Sequence, residues 1–254
     1  MSEVHWRSMV DLPPEAAELA RKWSFLPLCE MPGGHCSRVY ADAQRVLKVP
    51  FQGEEAATGW KMALQHSGSI GPQVLQYDEA SGALLMQRVV PGTKLSDAGV
   101  CEEECMQLAL GFAAQIRAGS TDGLMSLAEF FEHPTDLVNE LLATTKEVVA
   151  LHGDLHHENI LLGERGWVAI DPKGLAGDPA FELAAFMRNP IDELAAHPNL
   201  RDHLRVRLER ISRAANADPW RVWGWSVAAF DSDPPEDDPW HRIKAAIIAI
   251  EPGR

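Results

Sequence analysis

The sequence predicts an α+β chain in two lobes: a small, mostly antiparallel β-lobe carrying one helix, followed by a mainly helical lobe. Three observations carry that prediction. The first third breaks into short β-like pieces separated by turn signals. After Val89-Val90-Pro91-Gly92 the apolar periodicity turns helical. One β-hairpin signal then stands among the helices, between Asn159 and Asp171.

The elements follow in order. Pro14 opens a helix over 14–23. SFLPL, SRVYA, RVLKV, QVLQYD and ALLMQRVV read as strands, with turns at PGG (32–34), ADAQ (41–44) and EASG (79–82). One helical segment, roughly 54–66, interrupts them. Beyond 92, Met106, Ala109, Leu110, Ala113 and Ile116 form one apolar stripe. Leu137, Leu141 and Val148 suggest a helix after Pro134, and Leu200, Leu204, Leu208 and Ile211 suggest another. Asp218-Pro219 pairs an N-cap with proline at the first helical position, and opens the helix WRVWGWSVAAF. Trp220, Trp223 and Trp225 on it read as core residues. NILLGE, a turn around Gly163–Gly166 and WVAID make the lone hairpin. DSDPPEDDP (231–239) is an acidic, proline-rich loop. The domain reading is a first lobe over 1–86, a connector over 87–91 and a helical lobe over 92–254, with a ligand cleft between the lobes.

Composition excludes several classes of function. The chain has 254 residues and a net charge of −14, which argues against nucleic acid or an anionic membrane as partner. It permits a cationic substrate. No apolar run is long enough to span a membrane. The stretch MSEVHWRSMVDLPPEAAEL has no apolar signal core, so the expected location is the cytoplasm. Cys29, Cys36, Cys101 and Cys105 make no disulfide framework and no zinc-ribbon spacing, and read as reduced thiols.

The densest polar cluster is HGDLHHENILL, 152–162. It supplies no H-E-x-x-H spacing and no nearby cysteine, which speaks against a histidine metal cage. Asp154 precedes Asn159 by five positions and follows His152 by two. That spacing meets the kinase catalytic loop H-R-D-x-x-x-x-N, with glycine for arginine. The hairpin beyond it ends in Ile170-Asp171-Pro172, where a kinase carries the metal-binding aspartate of its D-F-G motif. Mg²⁺ takes a few hard oxygen ligands, which Asn159 and Asp171 supply. Asp154 is then placed to accept or orient a hydroxyl proton.

Upstream, Lys48 sits in an apolar β-run, where a charge is costly to bury unpaired. A strand lysine of this kind holds nucleotide phosphates and pairs with a helix glutamate, here Glu55 first and Glu54 second. Gly33-Gly34 and Ser37 form a turn with N–H and hydroxyl donors for phosphate. Met86, the Gln87 C=O and the Val89 N–H stand where an apolar strand becomes the connector, beside the expected adenine.

On these residues the chain resembles the aminoglycoside phosphotransferase superfamily. LHGDLHHENILL…WVAIDPKGLAGDPAFELA carries the resemblance, and DPKGLAGDPAFELA with RVWGWSVAAF points to the aminoglycoside/hydroxyurea resistance kinase group, which includes streptomycin 6-phosphotransferases. The resemblance implies a protein-kinase-like fold, ATP as donor (GTP remaining open), Mg²⁺ and a small hydroxylated acceptor. It implies Asp154 as base, Asn159 and Asp171 as metal ligands and Lys48 as phosphate anchor. Asp178 and Glu182 match the group's GDPxxE segment, and Asp178 is expected to brace the catalytic loop. Lys173 is placed to reach a phosphate or the acceptor. No A-P-E and almost no activation segment follow Asp171, so a peptide acceptor is disfavoured.

The expected activity is γ-phosphate transfer to a hydroxyl of a streptomycin-type aminoglycoside or an amino sugar. The acidic residues Asp231, Asp233, Glu236, Asp237 and Asp238 would suit a polycation. A metabolite kinase of the same fold and a nucleotide-binding regulator without catalysis are the alternatives. The retained base Asp154 argues against the second. The sequence leaves oligomeric state open.

Overall fold

A computed structural model describes residues 10–31, 36–51, 54–230 and 238–253. The first lobe comprises α1 (Pro14–Lys22), β1 (Cys29–Met31), β2 (Ser37–Ala41), β3 (Arg45–Pro50), α2 (Glu54–Gln65), β4 (Val74–Asp78) and β5 (Ala83–Gln87). Its five strands run in the order β1-β2-β3-β5-β4, each neighbour antiparallel. Alternating burial along β3 explains the pairing, since Leu47 and Val49 face inward. Ala16, Leu19 and Ala20 of α1 close that apolar face, together with Phe25, Tyr40, Leu47, Val49, Ala83 and Leu85.

The SFLPL expectation is corrected here. Residues 24–28 are not a strand, and the first strand is Cys29–Met31. Phe25 is fully buried in the small core while Leu26 and Leu28 are 40% and 48% exposed. These apolar residues pack a loop rather than alternate along a strand.

The chain then runs through β6 (Pro91–Lys94), α3 (Glu102–Arg117), β7 (Met125–Ser126), α4 (Leu127–Phe130), α5 (Asp136–Ala143) and β8 (Val149–Leu151). It continues through β9 (Ile160–Gly163), β10 (Gly166–Ala169), β11 (Leu175–Gly177), α6 (Glu182–Arg188), α7 (Ile191–Ala196), α8 (Leu200–Ala215), α9 (Pro219–Ala228) and α10 (Pro239–Ile248). Asp218 and Asp238 cap α9 and α10 by accepting the backbone N–H two residues on, each with proline at the first helical position.

Two features differ from the sequence reading. The hairpin β9–β10 is not alone: β6 pairs with β9, and β7, β11 and β8 make a second small sheet. Val148 does not extend the Leu137–Leu141 helix, which ends at Ala143, and it is 62% exposed ahead of β8. The tryptophans Trp220, Trp223 and Trp225 are buried in the helical-lobe core. Among the described residues no helix is long and apolar enough to cross a membrane.

Candidate active site

The hairpin β9–β10 is the scaffold of the site. Before it, residues 152–159 form a loop whose last three residues make one 3₁₀ turn. After it, residues 170–174 return to the same place. Backbone bonds lace the two segments together: Ile170 N–H donates to Asn159 O at 2.9 Å, and Lys173 N–H to His152 O at 2.8 Å. Gly153 has φ +83°, a conformation that favours glycine, and a Cβ there would meet Leu175 Cδ1 at 2.8 Å. That is the physical reason glycine stands where the protein-kinase pattern has arginine.

His152 holds the loop rather than reacting. The Asp154 N–H points at its Nδ1 from 3.3 Å, so Nδ1 carries the lone pair. Its Nε2–H then donates to Ile170 O at 2.9 Å. Burial pushes this imidazole down to about 4, so it stays neutral in that tautomer.

Glu182 braces the loop from below, accepting the His152 N–H at 2.6 Å and the Gly153 N–H at 3.2 Å. This corrects the expectation placed on Asp178. Asp178 caps the following turn through the Ala180 N–H and binds Arg221 and the Trp225 indole N–H, tying α9 to the site instead. Sequence reasoning matched both acids to one segment without a signal for which one turns back toward the loop.

The chemistry-bearing side chains converge across the lobes. Lys48 lies on β3, the central strand of the five, opposite Val39 and Leu84. Its side chain is 12% exposed and its ammonium forms an ion pair with Asp171. Asp171 adopts φ +64°, a left-handed conformation that aspartate tolerates better than most residues. Non-glycine residues held this way cluster at functional sites. Asn159 donates its amide N–H to Asp154 O at 2.9 Å, and the same nitrogen lies 3.2 Å from His156 Nε2. The bond to Asp154 O fixes the orientation of the amide and leaves Oδ1 as an oxygen donor for a cation. Asp154 Oδ1 lies 3.8 Å from His156 Nε2.

The donor set suits Mg²⁺. That ion takes one or two protein oxygens and completes its shell with phosphates and water. Asp171 and Asn159 offer one carboxylate and one amide oxygen on cross-braced segments. Among the described residues no group of three or more His, Cys, Asp and Glu is placed to hold a metal by itself. His156 and His157 do not form a cage: His157 is buried and stacks on Phe186, ring centroids 4.4 Å apart.

Ser37 is buried at the start of β2, opposite Pro50. Met86 and Gln87 end β5, with Met86 between Val46 and Val74 and Gln87 beside Arg45. The Gln87 N–H is used by Gln73 O at 2.8 Å. Val89 is half-buried on the connector, just ahead of β6. Gly34, the Glu55 and Glu54 side chains and the acidic residues 231–237 lie outside the described residues. The sequence reading did not anticipate the Lys48–Asp171 pair, and the partner it expected for Lys48, Glu55 or Glu54, has its side chain outside the described residues. Two charges on separate β-runs carry no spacing signal.

Comparison with known proteins identifies the family. The pattern of the family described as aminoglycoside/hydroxyurea antibiotic resistance kinase matches residues 109–232. The chain is 32% identical to a streptomycin 3''-kinase of Klebsiella pneumoniae over 82% of its own length and 86% of that protein. It is 27% identical to a streptomycin 6-kinase of Streptomyces griseus, covering 85% and 80%. Among solved structures, an aminoglycoside phosphotransferase in ternary complex with AMP-PNP and hygromycin B matches with TM-score 0.58 and 16% identity, over 94% of this chain and 98% of that one. At that identity the likeness speaks for a shared protein-kinase-like fold alone. Similarity at 32% identity to the Klebsiella enzyme over 82% of the chain, with the family pattern lying across the 152–159 loop and the hairpin, makes this chain a member of the aminoglycoside/hydroxyurea antibiotic resistance kinase family.

Proposed function

We propose that the protein transfers the γ-phosphate of ATP to a hydroxyl of a streptomycin-type aminoglycoside. The observation that carries the reading is the convergence of Lys48, Asp154, Asn159 and Asp171 on two cross-braced segments facing the β-lobe. The names of the relatives, kinases of streptomycin at two different positions, support an aminoglycoside acceptor. The solved relative with AMP-PNP supports an adenine nucleotide as donor.

In this reading each residue has one task. Lys48 anchors the nucleotide phosphates, releasing Asp171 as it does so. Asp171 and Asn159 hold Mg²⁺, which when bound offsets negative charge on the phosphates. Asp154 orients the acceptor hydroxyl and takes its proton. Met86, Gln87 and Val89 border the adenine, while Ser37, Gly34 and Glu55 serve the phosphate side. Most of the rate acceleration comes from positioning and fixed charge, because phosphoryl transfer asks little covalent chemistry of the protein. The chain is divided into a nucleotide lobe over 1–86, a hinge over 87–91 and a catalytic lobe over 92–254, acting in the cytoplasm on a cationic acceptor.

The test is Asp154→Ala assayed with MgATP and streptomycin. Phosphoryl transfer should fall by a factor on the order of 10³ or more while MgATP binding is retained. Turnover within tenfold of the parent would remove Asp154 from the mechanism. A parent enzyme that turns over MgATP with amino sugars but not streptomycin would move the acceptor to another hydroxylated class.

A further inference from the structure

Helix α2 belongs to the first lobe in sequence, yet several of its anchors lie on the other lobe. Met62 is 1% exposed and packs in the helical-lobe core, not in the core under the sheet. Ile70, just after the helix, joins the same core, and the Ala169 N–H donates to Ile70 O at 2.7 Å. Along α2, Thr58 Oγ1 donates to Lys173 O at 3.1 Å, Lys61 Nζ to Gly123 O at 3.1 Å and Gln65 Nε2 to Ser120 O at 2.9 Å. All three acceptors are loop carbonyls of the helical lobe.

Two approaches are closer still. A Cβ on Gly59 would stand 2.5 Å from Pro172 O, and a Cβ on Gly174 would stand 2.5 Å from Thr58 O. Both obstructing atoms are backbone, so neither can step aside as a side chain would. Glycine inside a helix is a poorer helix former than alanine. The contact with Pro172 O supplies the reason for it here.

We infer that Thr58 and Gly59 are positioning residues, latching α2 onto the Pro172–Gly174 segment and so fixing where Asp171 stands against Lys48. The inference rests on Asp171 as a metal ligand. Its consequence is that α2 and the metal-side loop form one mechanical unit. α2 also touches the sheet lobe, where Trp60 stacks on Tyr77 with ring centroids 5.6 Å apart and a Cβ on Gly82 would stand 2.5 Å from Ala56 O, so the unit meets both lobes.

Gly59→Ala and Thr58→Val test the latch, with Gly111→Ala as control, since a Cβ at Gly111 in α3 meets nothing within 4 Å. Two quantities are read: MgATP affinity by calorimetry, and hydrogen exchange at the Lys173 and Gly174 amides, which both donate to His152 O. Gly59→Ala should weaken MgATP binding by about tenfold or more and speed exchange at both amides, because a shift of about 1 Å is enough to spoil a site. Thr58→Val should act in the same direction by about three- to fivefold, having lost one hydrogen bond. Gly111→Ala should leave both unchanged and raise the melting temperature. If Gly59→Ala fails to fold, Thr58→Val decides. Parental affinity and parental exchange in Gly59→Ala and Thr58→Val, with Asp171→Ala binding MgATP poorly, would overturn the latch. If instead Asp171→Ala binds MgATP like the parent, the metal reading fails, and the exchange rates alone decide whether α2 holds the loop.

Discussion

Glu182 yields the sharpest quantitative expectation. Its carboxylate is 5% exposed and accepts two backbone N–H groups of the catalytic loop. Burial dominates its titration and pushes it up to about 7, against the opposing effect of those two hydrogen bonds, and Asp154 nearby adds to the rise. A folded-state value above the unfolded one means that the native protein binds this proton more tightly. Stability from this group is thus fully present below about 4.5 and is lost as pH rises through about 7. The shift corresponds to about 3 kcal/mol, most of which falls between pH 5 and pH 8.

Glu182→Gln removes the titration and keeps one acceptor oxygen. The amide NH₂ then faces a backbone N–H, a penalty of about 1–3 kcal/mol that does not vary with pH. Urea unfolding of both proteins from pH 5 to 8 separates the two effects. The variant should be less stable at pH 5 and gain on the parent by about 2–3 kcal/mol at pH 8, or about 5–10 °C in Tm for a chain of this size. All other titrating groups are common to both proteins and cancel in the difference. Parallel stability curves, within about 0.5 kcal/mol across the range, would show that Glu182 ionises normally and refute the reasoning.

Three further expectations are direct. Asn159→Ala and Asp171→Ala should each weaken Mg-nucleotide binding by about tenfold or more, read by calorimetry with and without Mg²⁺, and parental affinity in both would remove them as metal ligands. Burial holds His157 down at about 3, so its contribution to stability is present above the usual histidine value of 6.5 and lost as pH falls below it. His157→Phe, which keeps the stack on Phe186, should flatten the acid limb of the urea-midpoint curve between pH 6 and 4, and an unchanged limb would contradict this. Trp225→Phe removes the 2.8 Å indole bond to Asp178 and should destabilise by about 1–3 kcal/mol in equilibrium unfolding, with a loss below about 0.5 kcal/mol counting against that bond.

What the sequence made readable follows a physical line. Spacing within one loop survives folding unchanged, so Asp154 and Asn159 could be paired from the chain alone, and the hairpin beyond delivered Asp171. Caps such as Asp218 with Pro219 act locally and mark their helix directly. The missed features are all non-local. β7 has two residues and β11 three, too few for any alternation to show, and both exist because neighbours supply the pairing. The amphipathic pattern of α2 announces a buried face without saying which lobe receives it. Glu182 sits at the start of a helix whose every neighbour from Leu183 to Met187 is buried, and nothing local says that its carboxylate meets residues thirty positions upstream.

The bonds that place the proposed catalytic groups are mostly backbone bonds or reach to backbone. His152 O receives Lys173 and Gly174, Asn159 O receives Ile170, and Asn159 Nδ2 reaches Asp154 O. Fixed dipoles and charges of this kind need no reorganisation when charge develops in the transition state. A substitution at one surface of the cluster therefore disturbs little, whereas one at Glu182 or Gly59 shifts the frame on which several charges stand. The Lys48–Asp171 pair is the exception, a side-chain contact between lobes that a nucleotide's phosphates can replace on the lysine side and a cation on the aspartate side. That asymmetry, a rigid backbone frame under one exchangeable ion pair, is what a site needs to be ready for a nucleotide and still release it.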